Sequence, residues 1–236
     1  MSEPRPDGRR LRWEQHKRER RRHIIDAAIV VLEEHPAGES IHVQQIADRA
    51  GIHRTVLYRH FEDRTDLDVA VQREICRRAG DDLFAVMNLE GTPSEITHRI
   101  VDTYVRWTVA HPSLMRFVER DFGVGPTTPL EEAIQEIAER IELLINSFVA
   151  VMGVELPEAD RDALDPFVFG LVGGGFQAAK RWAARGGDRP ALEDFVDLLA
   201  RNIWRQIVGI AAERGIEFPD VPVDQLLDLL ASPDNS

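Results

Sequence analysis

The sequence predicts an all-α fold, and three observations support that prediction. Apolar residues recur at spacings of three and four along most of the 236 residues, as they do on the buried face of a helix. No segment of convincing length alternates apolar and polar residues, which is the pattern of a half-buried strand. Glycines and prolines fall between the periodic segments, at residues 35–40, 91–94, 122–129 and 185–190. These breaks divide the chain into about nine or ten helices.

The first helix is predicted over residues 13–34, with Ile24, Ala27, Ala28 and Val31 as its buried stripe. Two short helices follow it, and longer helices make up the remainder of the chain. Those later helices are predicted over residues 65–88, 94–110, 114–121, 130–152, 160–185 and 190–213, with a short amphipathic segment at 223–230. The chain therefore has a small N-terminal helical domain and a larger C-terminal one.

The two short helices lie within residues 41–60 and are joined by a tight turn. Gly51 ends the first of them at a position where a left-handed C-cap favours glycine. The apolar residues that should face each other are Val43, Ile46, Ala47, Val56, Leu57 and Phe61. The outer face of the second helix, predicted over residues 53–60, carries Arg54, Thr55, Tyr58 and Arg59. A helix with such a polar outer face has the shape and chemistry to enter a DNA major groove.

The segment IADRAGIHRTVLYRHF, followed by FEDRTDL, resembles the DNA-binding domain of the tetracycline-repressor (TetR) family of transcription regulators. The residues that match the family pattern are Ile46, Ala47, Ala50, Gly51, Leu57, Tyr58, His60, Phe61 and Arg64. Residues 21–34 resemble the family's first helix, so the resemblance covers roughly residues 20–70. It implies a three-helix DNA-binding domain with a helix-turn-helix, followed by a C-terminal helical domain that binds a ligand and dimerises.

The DNA-binding residues are predicted on and around the second short helix. Arg54 and Thr55 lie at its exposed N-terminal end and are expected to reach base edges. Tyr58, His60 and Arg64 are expected to hold phosphates. The full predicted set is Arg20, Arg22, His42, Gln44, His53, Arg54, Thr55, Tyr58, Arg59, His60 and Arg64.

Four members of this set depart from the family pattern. Thr55, together with Val56, stands where the family often has the pair Gly-Thr. His42 stands where the family usually has a capping Ser or Thr, and His53 stands where it usually has Ser. Histidine is a poorer N-cap than either, so each histidine either donates to a phosphate or leaves a helix end to water. Arg64 stands where the family usually has Lys.

The net charge of −12 is distributed unevenly, which suits a protein that meets DNA with one end. Residues 1–64 contain 13 basic and 11 acidic residues, whereas the remainder contains 16 basic and 30 acidic residues. Within residues 9–22, eight cations face only two carboxylates. The predicted domains are a basic, partly disordered arm at 1–20, a DNA-binding domain at 21–66, and a helical ligand-binding and dimerisation domain at 67–236.

Membrane, secretory and enzymatic roles find no support in the sequence. No apolar stretch approaches the roughly 18 residues of a membrane span, and the N-terminus lacks an apolar signal core. The single cysteine, Cys76, fits a reducing cytoplasm and is expected to be a small core residue. Catalytic, phosphate-loop and zinc-type motifs are missing, so neither an enzyme nor a cofactor is predicted. His98 and Asp102 could share a helical face and bind a metal, but a solvated pair is preferred and no metal is predicted.

The C-terminal helices offer two readings, a dimer interface or packing within one chain. Glycines and alanine recur every four residues in the helix at 160–185, which allows another helix to approach closely. An apolar stripe follows in the helix at 190–213. A four-helix dimer interface, two helices from each subunit, is the interpretation that the resemblance also implies. The predicted interface residues are Gly170, Gly174, Ala178, Phe195, Leu199, Ile203 and Ile207.

Large aromatic residues are spread over several helices of the C-terminal domain, with a few polar residues among them. Such a set describes either a small-molecule cavity or an ordinary core. The predicted ligand-binding residues are Tyr104, Trp107, Phe117, Asn146, Phe148, Phe169 and Gln177. Taken together, the sequence predicts a homodimeric transcription regulator, most simply a repressor that a small apolar effector releases from its operator. The alternative is an architectural DNA-binding protein with a filled core and no effector.

Overall fold

A computed structural model describes residues 8–36, 38–186, 190–217 and 219–225 of the chain. Within this part the secondary structure is helical and contains no strand, which confirms the all-α prediction. The helices are α1 (Gly8–Glu34), α2 (Val43–Arg49), α3 (Arg54–Leu57), α4 (Arg64–Val86), α5 (Pro93–Ala110), α6 (Pro112–Val118), α7 (Pro129–Val151), α8 (Glu158–Ala183) and α9 (Leu192–Glu213). The predicted segment at 223–230 lies partly outside the described residues.

Helix α1 begins at Gly8, earlier than the predicted start at residue 13. The division that assigns residues 1–20 to a basic, partly disordered arm stays a prediction. Residues 9–20 contain neither proline nor glycine and consist mostly of Arg, Lys, Gln, Glu and Leu, which propagate a helix well. The helix can therefore extend to Gly8 once its later turns are fixed by packing. Residues 1–7 lie outside the described part of the chain.

Helix α3 is shorter than the predicted range of 53–60. It ends at Leu57 and continues as tight turns, in which the backbone N–H of Arg59 donates to Val56 O and that of His60 donates to Leu57 O. These bonds span three residues rather than four, which tightens the last turn. Of the side chains expected on the outer face of this helix, Arg54, Thr55 and Arg59 are exposed and Tyr58 is half-buried.

The chain divides into two compact units. The first comprises the residues up to Arg77 together with His111–Leu130, and the second comprises Arg78–Ala110 and the residues from Glu131 onward. The predicted functional boundary between residues 66 and 67 falls inside α4, whose first turns belong to the first unit. That division by function stays a prediction.

The core of the first unit contains the predicted stripe of α1, since Ile24, Ala27, Ala28 and Val31 are all buried. Gln72 of α4 is also buried, at 1% exposure. Its Nε2 donates to the backbone carbonyls of Phe117, Val118 and Arg120 at 3.0, 3.3 and 2.8 Å. The Gln72 amide therefore adds side-chain hydrogen bonds to carbonyls at the end of α6, where Phe117 O also accepts from the backbone N–H of Arg120.

The core of the second unit is built by α5, α7, α8 and α9 with the end of α4. Aromatic side chains pair there: Trp182 stacks on Phe195 with ring centroids 4.8 Å apart, and Tyr104 lies 4.1 Å from Phe176. Cys76, which belongs to the first unit, is buried as predicted. Over the described residues, no helix is both long and apolar enough to cross a membrane.

Candidate functional site

Helices α2 and α3 form the turn that the sequence predicts. Gly51 has a φ of +64°, in the left-handed region that favours glycine, and Val43, Ile46 and Ala47 are buried. At the start of α2 the backbone N–H of His42 donates to Gln45 Oε1 at 2.6 Å. Gln45 therefore satisfies one of the donors around this helix end, and the exposed His42 ring is not required for that purpose.

The outer face of this turn is polar and open to solvent. Arg54, Thr55 and Arg59 are exposed, while Leu57 on the opposite side is completely buried. Tyr58 is half-buried, and the Arg54 guanidinium lies 5.6 Å from its ring centroid. Also exposed are Arg20, Arg22, His42, Gln44 and His53. The exposed positions fit the predicted DNA-binding set, and contact of these residues with DNA stays a prediction.

Arg64 is the member of the predicted set whose surroundings differ most from expectation. Its Nε lies 2.8 Å from both carboxylate oxygens of Asp68, and its Nη1 donates to Ile41 O at 2.9 Å. The guanidinium thus ties the start of α4 to the segment that precedes α2. Burial raises the pKa of Asp68, and the hydrogen bonds from Arg64 oppose that rise. Arg64 therefore has a structural role that the sequence did not suggest, and its contact with phosphate stays a prediction.

Arg21 has a comparable role that the sequence did not reveal. It donates to the backbone carbonyl of His60 and to Asp66 Oδ1, the latter at 2.9 Å, and its guanidinium lies 4.1 Å from the Phe61 ring centroid. Burial acts to raise the pKa of Asp66, but the hydrogen bonds from Arg21 and from the backbone N–H of Glu62, together with the charge of Arg21, outweigh burial and lower the pKa. Arg21 of α1 therefore fixes the end of the recognition segment, which is α3 with the turns that follow it to Phe61. It also fixes the start of α4.

His60 lies beside a group of cations. Its ring is half-buried, and Nδ1 is buried without a hydrogen-bond partner among the described residues. Burial lowers the pKa of His60, and the charges of Lys17, Arg20 and Arg21 lower it further. A second proton would place an N–H donor where no acceptor stands, so the neutral ring is favoured.

The stability of the first unit should fall as the pH drops below about 6.5. The pKa of His60 in the folded protein lies below its ordinary value of 6.5, so the unfolded chain takes up the proton first on acidification. The contribution of His60 to the free energy of unfolding is complete above pH 6.5. It is lost as the pH falls toward the lower pKa of the folded state. Urea unfolding at about pH 7.5 and about pH 5.5, followed by circular dichroism, measures the change.

The variant His60→Gln tests the origin of this pH dependence, because glutamine does not titrate. It should remove part of the loss seen between the two pH values. His16→Gln on α1 is the matched control, since the His16 side chain is 81% exposed. Equal losses in the wild type and in His60→Gln would assign the effect to another group.

A cavity of about 160 Å³ lies in the second unit among α5, α7, α8 and α9. Of the predicted ligand-binding residues, Tyr104 and Phe148 line it. Most of the lining is aliphatic, with Ile100, Ile141 and Val172 among the contributors, and these residues were not predicted. The only signal that could have found them is the apolar spacing of each helix, which marks cavity walls and solid core alike.

The other five predicted ligand-binding residues do not line this cavity, and their contact with a ligand stays a prediction. Phe117 is buried in the first unit, while Phe169 is 38% exposed. Gln177 is exposed, and Trp107 and Asn146 are half-buried without lining the cavity.

The predicted dimer-interface residues separate into two groups. Leu199, Ile203 and Ile207 line the cavity, so they serve packing within the chain, and Phe195 stacks on Trp182. The role of these four residues in a dimer interface stays a prediction. Gly170 and Gly174 are exposed, and a Cβ added at either would meet no described atom within 4 Å. Ala178 is half-buried. The glycine face of α8 therefore has room for a second helix.

The pair considered as a metal site is not formed. His98 Nε2 lies 2.8 Å from Asp197 Oδ1, and Asp102 accepts a hydrogen bond from Arg106 at 2.7 Å. Each residue therefore has a separate partner.

The chain is similar to known DNA-binding regulators. A model of bacterial regulatory proteins of the tetR family matches residues 24–71, from the second half of α1 to the first turns of α4. The chain is 27% identical over 210 residues to an HTH-type transcriptional regulator of Mycobacterium tuberculosis, which covers 89% of this chain and 86% of that protein.

Two solved structures have a similar fold. One is a tetR-family transcriptional regulator from Streptomyces coelicolor, with a TM-score of 0.62 and 19% identity over 92% of this chain and 90% of that one. The other is RolR in complex with its ligand resorcinol, with a TM-score of 0.60 and 15% identity over 94% of this chain and 98% of that one. Because both identities are below 25%, the two structures support only the arrangement of the helices in this chain.

Proposed function

Because the chain belongs to the TetR family of transcriptional regulators, we propose that it is a homodimeric repressor that a small apolar molecule releases from its operator. Helix α3 and the turns after it would read the major groove. The cavity of the second unit would hold the effector. An effector changes DNA binding only if it binds the two states of the protein with different affinity.

The main support for the DNA-binding role is that the helix-turn-helix has one buried apolar side and one exposed polar side. Leu57 and Phe61 are buried beneath it, whereas Arg54, Thr55 and Arg59 stand exposed on the other side. Exposed cations next to a short polar side chain supply both phosphate attraction and base-edge hydrogen bonds. The cations of α1 add positive charge on the same unit.

The cavity supports a small apolar effector over the architectural alternative. An apolar cavity of about 150 Å³ in another protein stays dry and takes up benzene, and the cavity here is about 160 Å³. The similar regulator RolR has been solved with resorcinol, also a one-ring molecule. An architectural protein with a filled core would have no use for such a void.

A dimer would place two copies of α3 on successive major grooves, roughly 34–36 Å apart. The glycine face of α8 supports that arrangement, because Gly170 and Gly174 leave space for a neighbouring helix. Each glycine weakens its own helix by about 1 kcal/mol, and contact with a second copy would offset that loss.

The proposal is tested by selecting binding sites from a random duplex library with the full chain. Fluorescence anisotropy on the selected and a scrambled duplex then gives the specificity ratio at a stated salt concentration. Resorcinol and benzene serve as first effector probes. Sequence-specific binding that weakens with a probe supports a regulator, and specific binding that no probe alters supports the architectural alternative. Equal affinity for both duplexes contradicts both.

Arg54→Ala should weaken binding to the selected duplex by about 1–3 kcal/mol and relax its specificity at one base position. The reason is the exposed position of Arg54 at the N-terminal end of α3. Anisotropy on duplexes with single base changes measures the effect. Arg201→Ala on α9, also exposed, is the matched control. Equal weakening on selected and scrambled DNA would reassign Arg54 to the backbone.

A further inference from the structure

A second cavity lies next to the first within the second unit. It has a volume of about 260 Å³ and is formed by the end of α7, the start of α8 and the end of α9. Ile145 and Ile207 line both cavities. The two cavities therefore meet at these two side chains, whose rotamers affect how far the spaces are separated.

The two cavities differ in polarity. Among the described residues that line the first cavity, none carries a charge. The second cavity is lined in part by Asp160, Glu213 and Arg214. Arg214 Nη2 donates to Asp160 Oδ1 at 2.6 Å, and Arg214 Nη1 lies 3.8 Å from Glu213 Oε2. One end of the combined space is therefore apolar and the other is polar.

We propose that the two cavities form one site for a single elongated molecule, with a hydrocarbon chain in the first cavity and an uncharged, hydroxyl-type head group beside Asp160 and Arg214. The proposal rests on the effector role given above and specifies the chemistry of the effector. Ligand sites typically measure roughly 300–1,000 Å³. Cavities of about 160 and 260 Å³ fall below that range singly, and together they enter it.

The charges at the polar end favour an uncharged head group. A carboxylate would have to compete with Asp160 for Arg214 and would lie near Glu213 as well. An ammonium would have to compete with Arg214 for Asp160. The hydrogen bond from Arg214 lowers the pKa of Asp160, so this carboxylate stays charged near neutral pH. A hydroxyl can donate to Asp160 and accept from Arg214 while the ion pair stays in place.

Three probes with the same chain length separate these head groups: n-decanol, decanoate and decylamine. Each is titrated into the full chain below its micelle concentration, with tryptophan fluorescence and the melting temperature as readouts. We expect n-decanol to bind about tenfold more tightly than either ionic probe, equivalent to about 1.4 kcal/mol. Equal or tighter binding of decanoate or decylamine overturns the proposal, as does a lack of binding by n-decanol.

Two pairs of variants test the location. Asp160→Asn should improve decanoate binding about tenfold, because it frees Arg214 and removes one negative charge, while Asp162→Asn, an exposed residue of the same helix, should not. Ile207→Trp should block the passage and abolish n-decanol binding. Leu198→Trp, at a 57% exposed position of α9, should retain it.

Ile145→Phe should block the connection between the two cavities from the side of α7. It provides a second test if circular dichroism shows that Ile207→Trp does not fold. If a folded Ile207→Trp or Ile145→Phe variant binds n-decanol as tightly as the wild type, the proposal of one joined site is overturned. An unchanged decanoate affinity in Asp160→Asn overturns it as well. Operator binding is measured on the same samples without probe. If it is sequence-specific while an ionic probe binds best, the head-group proposal alone fails. If no sample binds DNA specifically, the repressor function fails, whatever the probes do.

Discussion

Replacing Phe61 by alanine should lower the free energy of unfolding of the first unit by about 3–5 kcal/mol. The ring is 2% exposed and lies 4.1 Å from the Arg21 guanidinium. Its removal leaves a void at the end of the recognition segment and takes away the surface on which Arg21 stacks. Arg21 also donates to His60 O and Asp66, so the loss should reach the start of α4. DNA binding should disappear with the fold of this unit.

Urea unfolding monitored by two signals measures this effect. Circular dichroism reports on both units, whereas Trp107, Trp182 and Trp204 lie in the second unit and dominate the tryptophan signal. Phe61→Ala should shift the first signal more than the second. Phe169→Ala is the matched control, since that ring is 38% exposed. A shift no larger than that of the control would show that Phe61 is not essential to the core.

Replacing Arg64 by alanine should lower the free energy of unfolding of the first unit by about 2–4 kcal/mol, because a buried carboxylate then loses its cation. Asp68 is 7% exposed, and Arg64 supplies both its ion pair and a hydrogen bond to Ile41 O. Without Arg64 the raised pKa of Asp68 should rise further. Since the folded state then binds the proton more readily, the lost stability should return as the pH falls toward the folded-state pKa.

The double variant Arg64→Ala with Asp68→Asn separates the two possible roles of Arg64. It should recover part of the stability, because the uncompensated charge is gone. Arg59→Ala is the control, an exposed cation whose removal should weaken DNA binding and leave unfolding unchanged. If Arg64→Ala unfolds like the wild type and only the salt dependence of DNA binding becomes shallower, Arg64 is a phosphate contact.

The helix-turn-helix could be predicted from the sequence because its signals are local. The break at Gly51 is a single-residue property, and its φ of +64° agrees with the prediction. The buried positions of Leu57 and Phe61 follow from spacing within a few residues, which decides the inward face of a short helix. The family pattern added the register of these residues, and the structure agrees with it.

The roles of Arg21 and Arg64 could not be predicted, because their partners are distant in the chain. Arg64 binds a carbonyl 23 residues earlier, and Arg21 binds groups 39 and 45 residues later. An arginine on a helix has the same appearance in a sequence whether it meets a carbonyl or a phosphate. Only the fold determines which acceptor is near enough.

The cavity could be predicted in kind, but most of its residues could not. Trp182 and Phe195 stack on each other and do not line the cavity, whereas Tyr104 and Phe176 contact each other and do line it. Most of the other lining side chains are aliphatic. Helical spacing shows that an apolar face exists, but the distance to the facing helix determines whether that face meets a side chain or empty space.

The continuous helix α1 has a thermodynamic consequence for association with DNA. A basic segment that becomes ordered only on binding loses roughly 1–2 kcal/mol of backbone entropy per residue, and coupled folding adds a large negative heat-capacity change. Helix α1 runs continuously from Gly8 to Glu34 and spans about 40 Å. Under the proposed function its cations would meet phosphate already spaced by the helix. Calorimetry should therefore show that residues 8–20 contribute to the free energy of DNA binding mainly through counterion release. That contribution should depend steeply on salt and bring almost no heat-capacity change.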